Sequence, residues 1–316
     1  MEEQDYTRRS QRPKKRRLRK GRALFTLLLL CIIVIVGYSV MQYRSGLEMA
    51  SDTKVAQEDF KGDAVKGDVE NYLLLGIDTR GEEKSRTDTM MVLSWNKKTN
   101  DVKLVSLMRD IYADIPGYKS YKLNTAYYLG GVQLLKDTIG NMFGLPINHY
   151  AIIDFKNFES LVDILAPNGV EMNVDKDMSE KIGVSLKQGV HNLNGKELLG
   201  FARFRHDEKG DFGRVERQQK VIEALKNEVL SPQNMLNLPK FVGAAQGYVT
   251  TDYSSSGEIQ QVLKMVSKGK VKIEKATIPI EGSYSFKSFS GVGDSIVINV
   301  EKNKEFLRNF LGISLE

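Results

Sequence analysis

The charged side chains of Asn71–Asp110 crowd at the ends of three apolar runs. Asp78 and Arg80 follow Tyr72–Ile77, Arg86 and Asp88 precede Thr89–Trp95, and Arg109 and Asp110 close Val102–Met108. Each run is short and rich in Val, Leu, Ile or Met, the pattern of a buried strand. If the three pair as neighbours, Asp78 and Asp88 meet Arg80, Arg86 and Arg109 at one rim of a sheet. Open α/β sheets bind ligands at such rims. Oxygen ligands suit Mg²⁺ and guanidinium suits phosphate, so the implied chemistry is a metal ion held beside an anionic group. The alternative is that Asp78 and Asp88 only cap turns while the arginines pair with Glu82 and Glu83.

A second charged group lies in Ala202–Gln219, ARFRHDEKGDFGRVERQQ. Arg203 and Arg205 alternate on an extended or helix-end segment, and Gly210–Gly213 interrupts the pattern. A helix beginning near Gly213 puts Arg214, Arg217 and Gln218 at i, i+3 and i+4 on one face. Val215, Ile222, Leu225 and Val229 form an apolar stripe beside it. Two arginines in a first turn repel each other and oppose the helix dipole. A bound anion would offset both costs, and free N–H groups of the first turn would help hold it. The alternative is a solvated face paired with Asp211, Glu216 and Glu223. Glu216 and Lys220 do stand at pairing distance, on another face.

These groups need a scaffold, and the composition supplies one. The chain has 316 residues, 41% hydrophobic and 27% charged, enough for a sizeable core in one large domain or two ordinary ones. The net charge of +6 is uneven. Residues 1–22 hold ten Lys/Arg against three acids, leaving 36 basic and 37 acidic residues in the remainder. The high pI therefore belongs to the tail and does not mark the rest as binding nucleic acid. The single cysteine, Cys31, rules out an internal disulfide framework and a cysteine-based zinc site. The three histidines are widely spaced, unlike a His-metal motif. No GxSxG, Walker A or dinucleotide fingerprint is present.

Residues 1–22 read as a basic tail. Ala23–Tyr43 follows without a charge, between Arg22 and Arg44. As a helix it covers roughly 30 Å, the hydrocarbon thickness of a bilayer. Ten cations on one flank predict a signal-anchor with the N-terminus cytoplasmic and residues 44–316 outside, a single-pass type II protein of the cell membrane. The run is long for a cleaved signal peptide and no A-x-A site follows it. Residues 44–68 are polar without a sustained period and read as a stalk, leaving 69–316 as the extracytoplasmic domain. Within it, helical patterns fall in Asn124–Phe143, Asn157–Leu165, from Asn194 to Phe204, and near 213–230, 257–267 and 303–311. Strands are expected at His149–Phe155, Gly169–Val174, Val271–Pro279 and Ser295–Val300. Interleaved strands and helices predict an α/β class with a mixed β-sheet covered by helices, behind one transmembrane helix.

Three runs also carry a resemblance: LLLGIDTR…SRTDTM, then SLMRDIYADIPGY…KLN, then LNGKELLGFARFRHDEKGDFGRVERQQ. They resemble the LytR–CpsA–Psr family of cell-envelope proteins over about residues 70–230 and the N-terminal anchor. The resemblance implies an α-β-α domain that holds a polyprenyl pyrophosphate in a hydrophobic groove. The implied activity is transfer of a glycopolymer, such as wall teichoic acid, from that carrier to peptidoglycan. By motif, Asp78 and Asp88 would hold Mg²⁺ (or Mn²⁺). Arg80, Arg86, Lys122, Arg203, Arg205, Arg214, Arg217 and Gln218 would line the pyrophosphate site, with Arg109 and Asp110 catalytic. Asp211 is a further candidate base. Met108 stands where many members have proline. Many members were named as transcriptional regulators, so a non-enzymatic membrane regulator is the second reading and a pyrophosphate hydrolase the third. No nucleic-acid partner is expected, because a 22-residue tail lacks a docking fold. Residues 231–316 carry no recognised motif.

Overall fold

The computed structural model describes residues 20–51, 57–65, 67–79, 87–252 and 272–313. Arg80, Arg86, the helix expected near 257–267 and most of the basic tail lie outside the described residues. The chain divides into two compact units, 1–41 and 42–316. Helix α1 (Lys20–Met49) begins in the first unit and ends in the second. Its stretch Leu27–Met49 is long and apolar enough to cross a membrane, by length and composition.

The second unit is built on a six-stranded mixed sheet. The three expected runs are β1 (Val69–Ile77), β2 (Thr87–Asn96) and β3 (Val102–Leu107), antiparallel neighbours in register. After the short pair β4 (Tyr112–Ala113) and β5 (Tyr121–Lys122) comes β6 (His149–Asp154), parallel to β1. A hairpin of β7 (Val170–Val174) and β8 (Gly189–Leu193) stands apart from the main sheet. The sheet ends on one side at β9 (Val249–Thr251), antiparallel to β6, and on the other at β10 (Ile273–Ile278), parallel to β3. A second hairpin, β11 (Tyr284–Phe289) and β12 (Gly293–Ile298), closes the described strands.

Alternation sorts the sheet's two faces. Leu73, Leu75, Ile77, Met90 and Val92 enter one core with α2 (Leu123–Phe143) and a late helix, α7 (Val300–Leu311). Leu74, Gly76, Thr89, Met91 and Leu93 face the other layer. That layer holds α3 (Phe155–Leu165), α4 (Gly195–Arg203), α5 (Gly210–Leu230) and α6 (Leu238–Tyr248). The result is the expected helix–sheet–helix arrangement, with both faces of a near-continuously apolar sheet covered.

Two segments differ from expectation for clear reasons. Residues 57–65, read as stalk, are bonded to the domain. Glu58 accepts from Val132 N and Tyr127 Oη, both at 2.6 Å, and Asp63 accepts from Ile147 N at 2.8 Å. Glu58 caps a break in α2, where Gly130 and Gly131 leave helical geometry and Gly131 has φ of +65°. A Cβ at Gly131 would come within 2.4 Å of the Glu58 carboxylate, so glycine is required there. The other segment is α5, which starts at Gly210 rather than near Gly213. Gly210 adopts φ of +51° and its N–H is taken by Asp207 at 2.9 Å, so the turn at 207–210 feeds directly into the helix. Arg214 therefore stands past the first turn, and the dipole cost assigned to it does not arise.

Candidate functional site

The ends of β1, β2 and β3 meet at one rim, as their antiparallel register requires. There Arg109 is the hub. It ion-pairs with Asp88 and lies 3.6 Å from Asp110 and 3.9 Å from Asp211. Asp110 also pairs with Lys122 at 2.9 Å. Arg214, 5% exposed on α5, binds Asp211 at 2.9 Å. Asp211 thus bridges the two guanidiniums, one from each charged stretch.

Burial disfavours charge on Arg109, but the nearby Asp88, Asp211 and Asp110 more than compensate and raise its pKa. For Arg214 burial prevails, helped by repulsion from Arg109 and Arg205, and the pKa is lowered. Both remain cations at neutral pH, since arginine is effectively never deprotonated in proteins. Among the described residues, Arg109 Nε and Arg214 Nε are buried with no hydrogen-bond partner. Buried N–H groups are ordinarily satisfied. Arg109 and Arg214 are close enough to repel, and a buried N–H without a hydrogen bond on each is suited to an anion.

A second pair sits at the neighbouring strand end. Arg203 lies 3.4 Å from Asp78 and stacks on the Phe155 ring at 4.9 Å. Asp154, the N-cap of α3, accepts from Thr79 N and Oγ1 at 3.1 and 2.8 Å and so fixes the turn that carries Asp78. The sequence signal for Asp154 was an aspartate at a strand-to-helix junction. Gln218 donates to Thr89 at 2.9 Å, tying α5 to β2. Arg205 is exposed.

Arg217 is not part of this group. At 3% exposure it donates to the Phe204 carbonyl from Nε and Nη2 (3.2 and 2.6 Å) and to Asp207 from Nη1 (2.8 Å). All three donor nitrogens are occupied in holding the 204–210 turn. Glu216, expected to pair with Lys220, instead lies 2.7 Å from Lys209.

Behind the charged rim is a cavity of about 450 Å³ between the sheet and α3–α6. Its lining is aliphatic and aromatic, with Arg203 and Gln218 at the rim end and Leu230 and Phe241 among the residues farther along. Gln218, which lines the cavity, stands one helical turn from Arg214 on α5, so an apolar cavity with Arg203 and Gln218 at its charged end can hold an amphiphile with an anionic head.

The carboxylates fit a metal only in a limited way. No group of three or more His, Cys, Asp or Glu is disposed to hold an ion among the described residues. Asp78 and Asp88 alone would make an incomplete set, which suits Mg²⁺ because that ion is usually bound by one or two carboxylates with phosphate oxygens completing it.

The model of the LytR_cpsA_psr family matches residues 36–305. The chain belongs to this family. Its relatives include "Regulatory protein MsrR" of Staphylococcus aureus, 44% identical over 88% of this chain and 85% of that protein. "Polyisoprenyl-teichoic acid--peptidoglycan teichoic acid transferase TagU" of Enterococcus faecalis is 36% identical over 73% of this chain and 78% of that one. Among solved structures, Bacillus subtilis TagT is similar in two ligand-bound forms, each 25% identical to this chain. The form bound to LIIa-WTA has a TM-score of 0.62 and covers 84% of this chain and 98% of that one. The form with bound octaprenyl pyrophosphate lipid has a TM-score of 0.59 and covers 82% and 97%. The family's fold is thus the one described above. Its members include both proteins named as regulators and proteins named as transferases.

Proposed function

We propose that this chain transfers a glycopolymer, wall teichoic acid or similar, from a polyprenyl-pyrophosphate carrier to peptidoglycan. The observation that carries the proposal is an apolar cavity lined at one end by Arg203 and Gln218, with the arginine cluster of Arg109 and Arg214 at the same strand rim. It is supported by the name of the TagU relative and by TagT's lipid and WTA ligands. The prenyl chain would lie in the cavity and the pyrophosphate at the rim, against Arg109, Arg214 and Arg203, with Lys122, Arg205, Arg80 and Arg86 around it. Arg217 would act from beneath, by holding the turn that precedes α5.

In this mechanism a sugar hydroxyl of peptidoglycan attacks the phosphorus that bears the glycopolymer. A new P–O bond forms, the bond to the bridging oxygen breaks, and polyprenyl phosphate leaves. The hydroxyl proton passes to a base, for which Asp110 and Asp211 beside Arg109 are the candidates. The arginines bind non-bridging oxygens in forked geometry and stabilise charge that grows on the leaving phosphate. Asp78 and Asp88 would hold a Mg²⁺ or Mn²⁺, whose charge would offset that of the pyrophosphate. With the basic tail in the cytoplasm, residues 44–316 would face the wall.

The 44% identity to a protein named as regulatory favours a second reading, a membrane regulator without enzymatic activity. Transfer of labelled lipid-linked polymer to peptidoglycan by the full chain separates the two. Wild type should attach polymer covalently, and Asp88→Asn should slow this sharply, with part of the rate restored by excess Mg²⁺. Arg109→Ala should lose about 10²–10³ in rate, roughly the cost of one transition-state donor, with no rescue by metal. No transfer by wild type would leave the regulator reading standing.

A further inference from the structure

The turn between α5 and α6 displays apolar side chains outward. Met235 and Leu236 are 64% and 66% exposed, and Leu230 beside them is also exposed. The turn is held firmly. Ser231 caps a short 3₁₀ helix, Pro232–Asn234. Asn234, itself buried, donates to Glu228 Oε2 at 2.6 Å. The two apolar side chains are therefore presented by an ordered turn.

What lies next to this turn follows from the packing of α6. Gly46, Gly243 and Gly247 let α6 and residues 43–50, the end of α1 and the residue after it, approach closely. A Cβ at Gly46 would meet Lys240 O at 2.1 Å, one at Gly243 would meet Tyr43 O at 2.1 Å, and one at Gly247 would meet Ala50 Cβ at 2.3 Å. Tyr43 also donates to Gln246 at 2.5 Å, and Tyr248 to Met49 O at 3.0 Å. The end of α6 meets residues 49 and 50 (Tyr248 with Met49, Gly247 with Ala50), whereas Lys240 and Gly243 meet Gly46 and Tyr43, so the two segments cross in a broadly parallel sense. The start of α6, and Met235 and Leu236 just before it, therefore lie on the side of Gly46 and Tyr43, away from Met49 and Ala50. In the sequence Tyr43 is the last residue of the uncharged run that begins at Ala23, and tyrosine gathers where such runs meet the membrane surface.

The cavity reaches the same end. Its lining follows α5 from Gln218 to Leu230, roughly 18 Å at about 1.5 Å per residue. Phe241 belongs both to that lining and to the cluster in which Ala50 and Ala244 pack.

We propose that Leu230, Met235 and Leu236 dock into the surface of a lipid bilayer and bring the far end of the cavity to it. A prenyl chain then passes between bilayer and cavity without crossing water. The passage of the chain rests on the function proposed above; the docking does not.

The test uses the full chain in proteoliposomes, with Cys31→Ser as background. A single thiol at Met235→Cys or Leu236→Cys carries an environment-sensitive fluorophore, and Phe286→Cys, exposed on β11, is the control. Spin-labelled lipids should quench and blue-shift the probes at 235 and 236 but not at 286. Equal, weak quenching at all three positions would overturn the docking. A second arm measures uptake of octaprenyl pyrophosphate by the double variant Met235→Asp/Leu236→Asp. Uptake from vesicles should slow roughly tenfold or more, given the transfer free energy of two large apolar side chains, while uptake from detergent stays normal. Unchanged uptake from vesicles, or equal loss from both sources, would overturn the proposed route. Failure of wild type to take up the lipid from detergent would instead sink the function proposed above and leave the quenching result to stand alone.

Discussion

Arg214 and Arg217 are three residues apart on one helix and have opposite duties. Arg217 spends its donors on Asp207 and the Phe204 carbonyl, whereas Arg214 keeps a buried Nε unpartnered among the described residues. Spacing alone grouped them, because i and i+3 share a face. It could not reveal that Asp207, ten residues upstream, folds back beneath Arg217. The substitutions should therefore separate. Arg217→Met strands a buried carboxylate and should cost about 3–5 kcal/mol in denaturant unfolding. Arg214→Met should cost less in unfolding, because Asp211 keeps Arg109 as a neighbour at 3.9 Å, but weaken octaprenyl pyrophosphate binding roughly ten- to a hundredfold, the worth of a hydrogen bond to a charged group. Equal destabilisation by both would place Arg214 in the scaffold. Asp88 and Arg109 were legible in the sequence because they cap apolar runs. Asp211 gained its importance only in three dimensions, where it bridges arginines from distant stretches.

At the scale of elements, the turn before α5 carries a pH dependence of its own. Burial would raise the Asp207 pKa, but the hydrogen bond and charge of Arg217 outweigh it and hold the carboxylate below its ordinary range. A depressed carboxylate adds stability that is complete above its unfolded pKa, near about 3.9, and is lost as pH falls through the folded value. Asp207→Asn should thus destabilise the protein at neutral pH by on the order of 2 kcal/mol. The difference from wild type should shrink as pH falls through the depressed folded value and both become uncharged at this position. A pH-independent difference between pH 7 and 2 would show that the ion pair contributes nothing. The strands β1–β3 were readable because buried runs bounded by charges have few alternatives. Helix α6 and strand β9 were not read, since the glycines and alanines of Leu238–Tyr248 serve close helix packing rather than an amphipathic pattern. The strap at 57–65 was also missed, because Glu58 caps a helix break 72 residues away and such a contact leaves no local period.

At the scale of the molecule, one chain carries an apolar helix, an apolar cavity and a charged rim. The C-terminal part, silent in motifs, backs that rim. Ile296 N donates to Asp110 O at 2.8 Å, and Phe212 stacks on Tyr284 at 5.2 Å. The proposed orientation in the membrane rests on the ten cations before Ala23. Protease added to intact protoplasts should remove residues beyond the anchor while a cytoplasmic marker survives. Protection of both would reverse the assigned topology.

The central claim is that one site binds a pyrophosphate head at Arg109 and Arg214 and a prenyl chain in the cavity behind them. Calorimetric titration of the full chain with octaprenyl pyrophosphate tests it most directly, with a short-chain prenyl pyrophosphate and octaprenyl alcohol as comparisons. The account predicts binding that weakens when either the chain or the pyrophosphate is removed, with a negative heat-capacity change from burial of the chain. Affinity indifferent to chain length, or equal for the alcohol and the pyrophosphate, would contradict it.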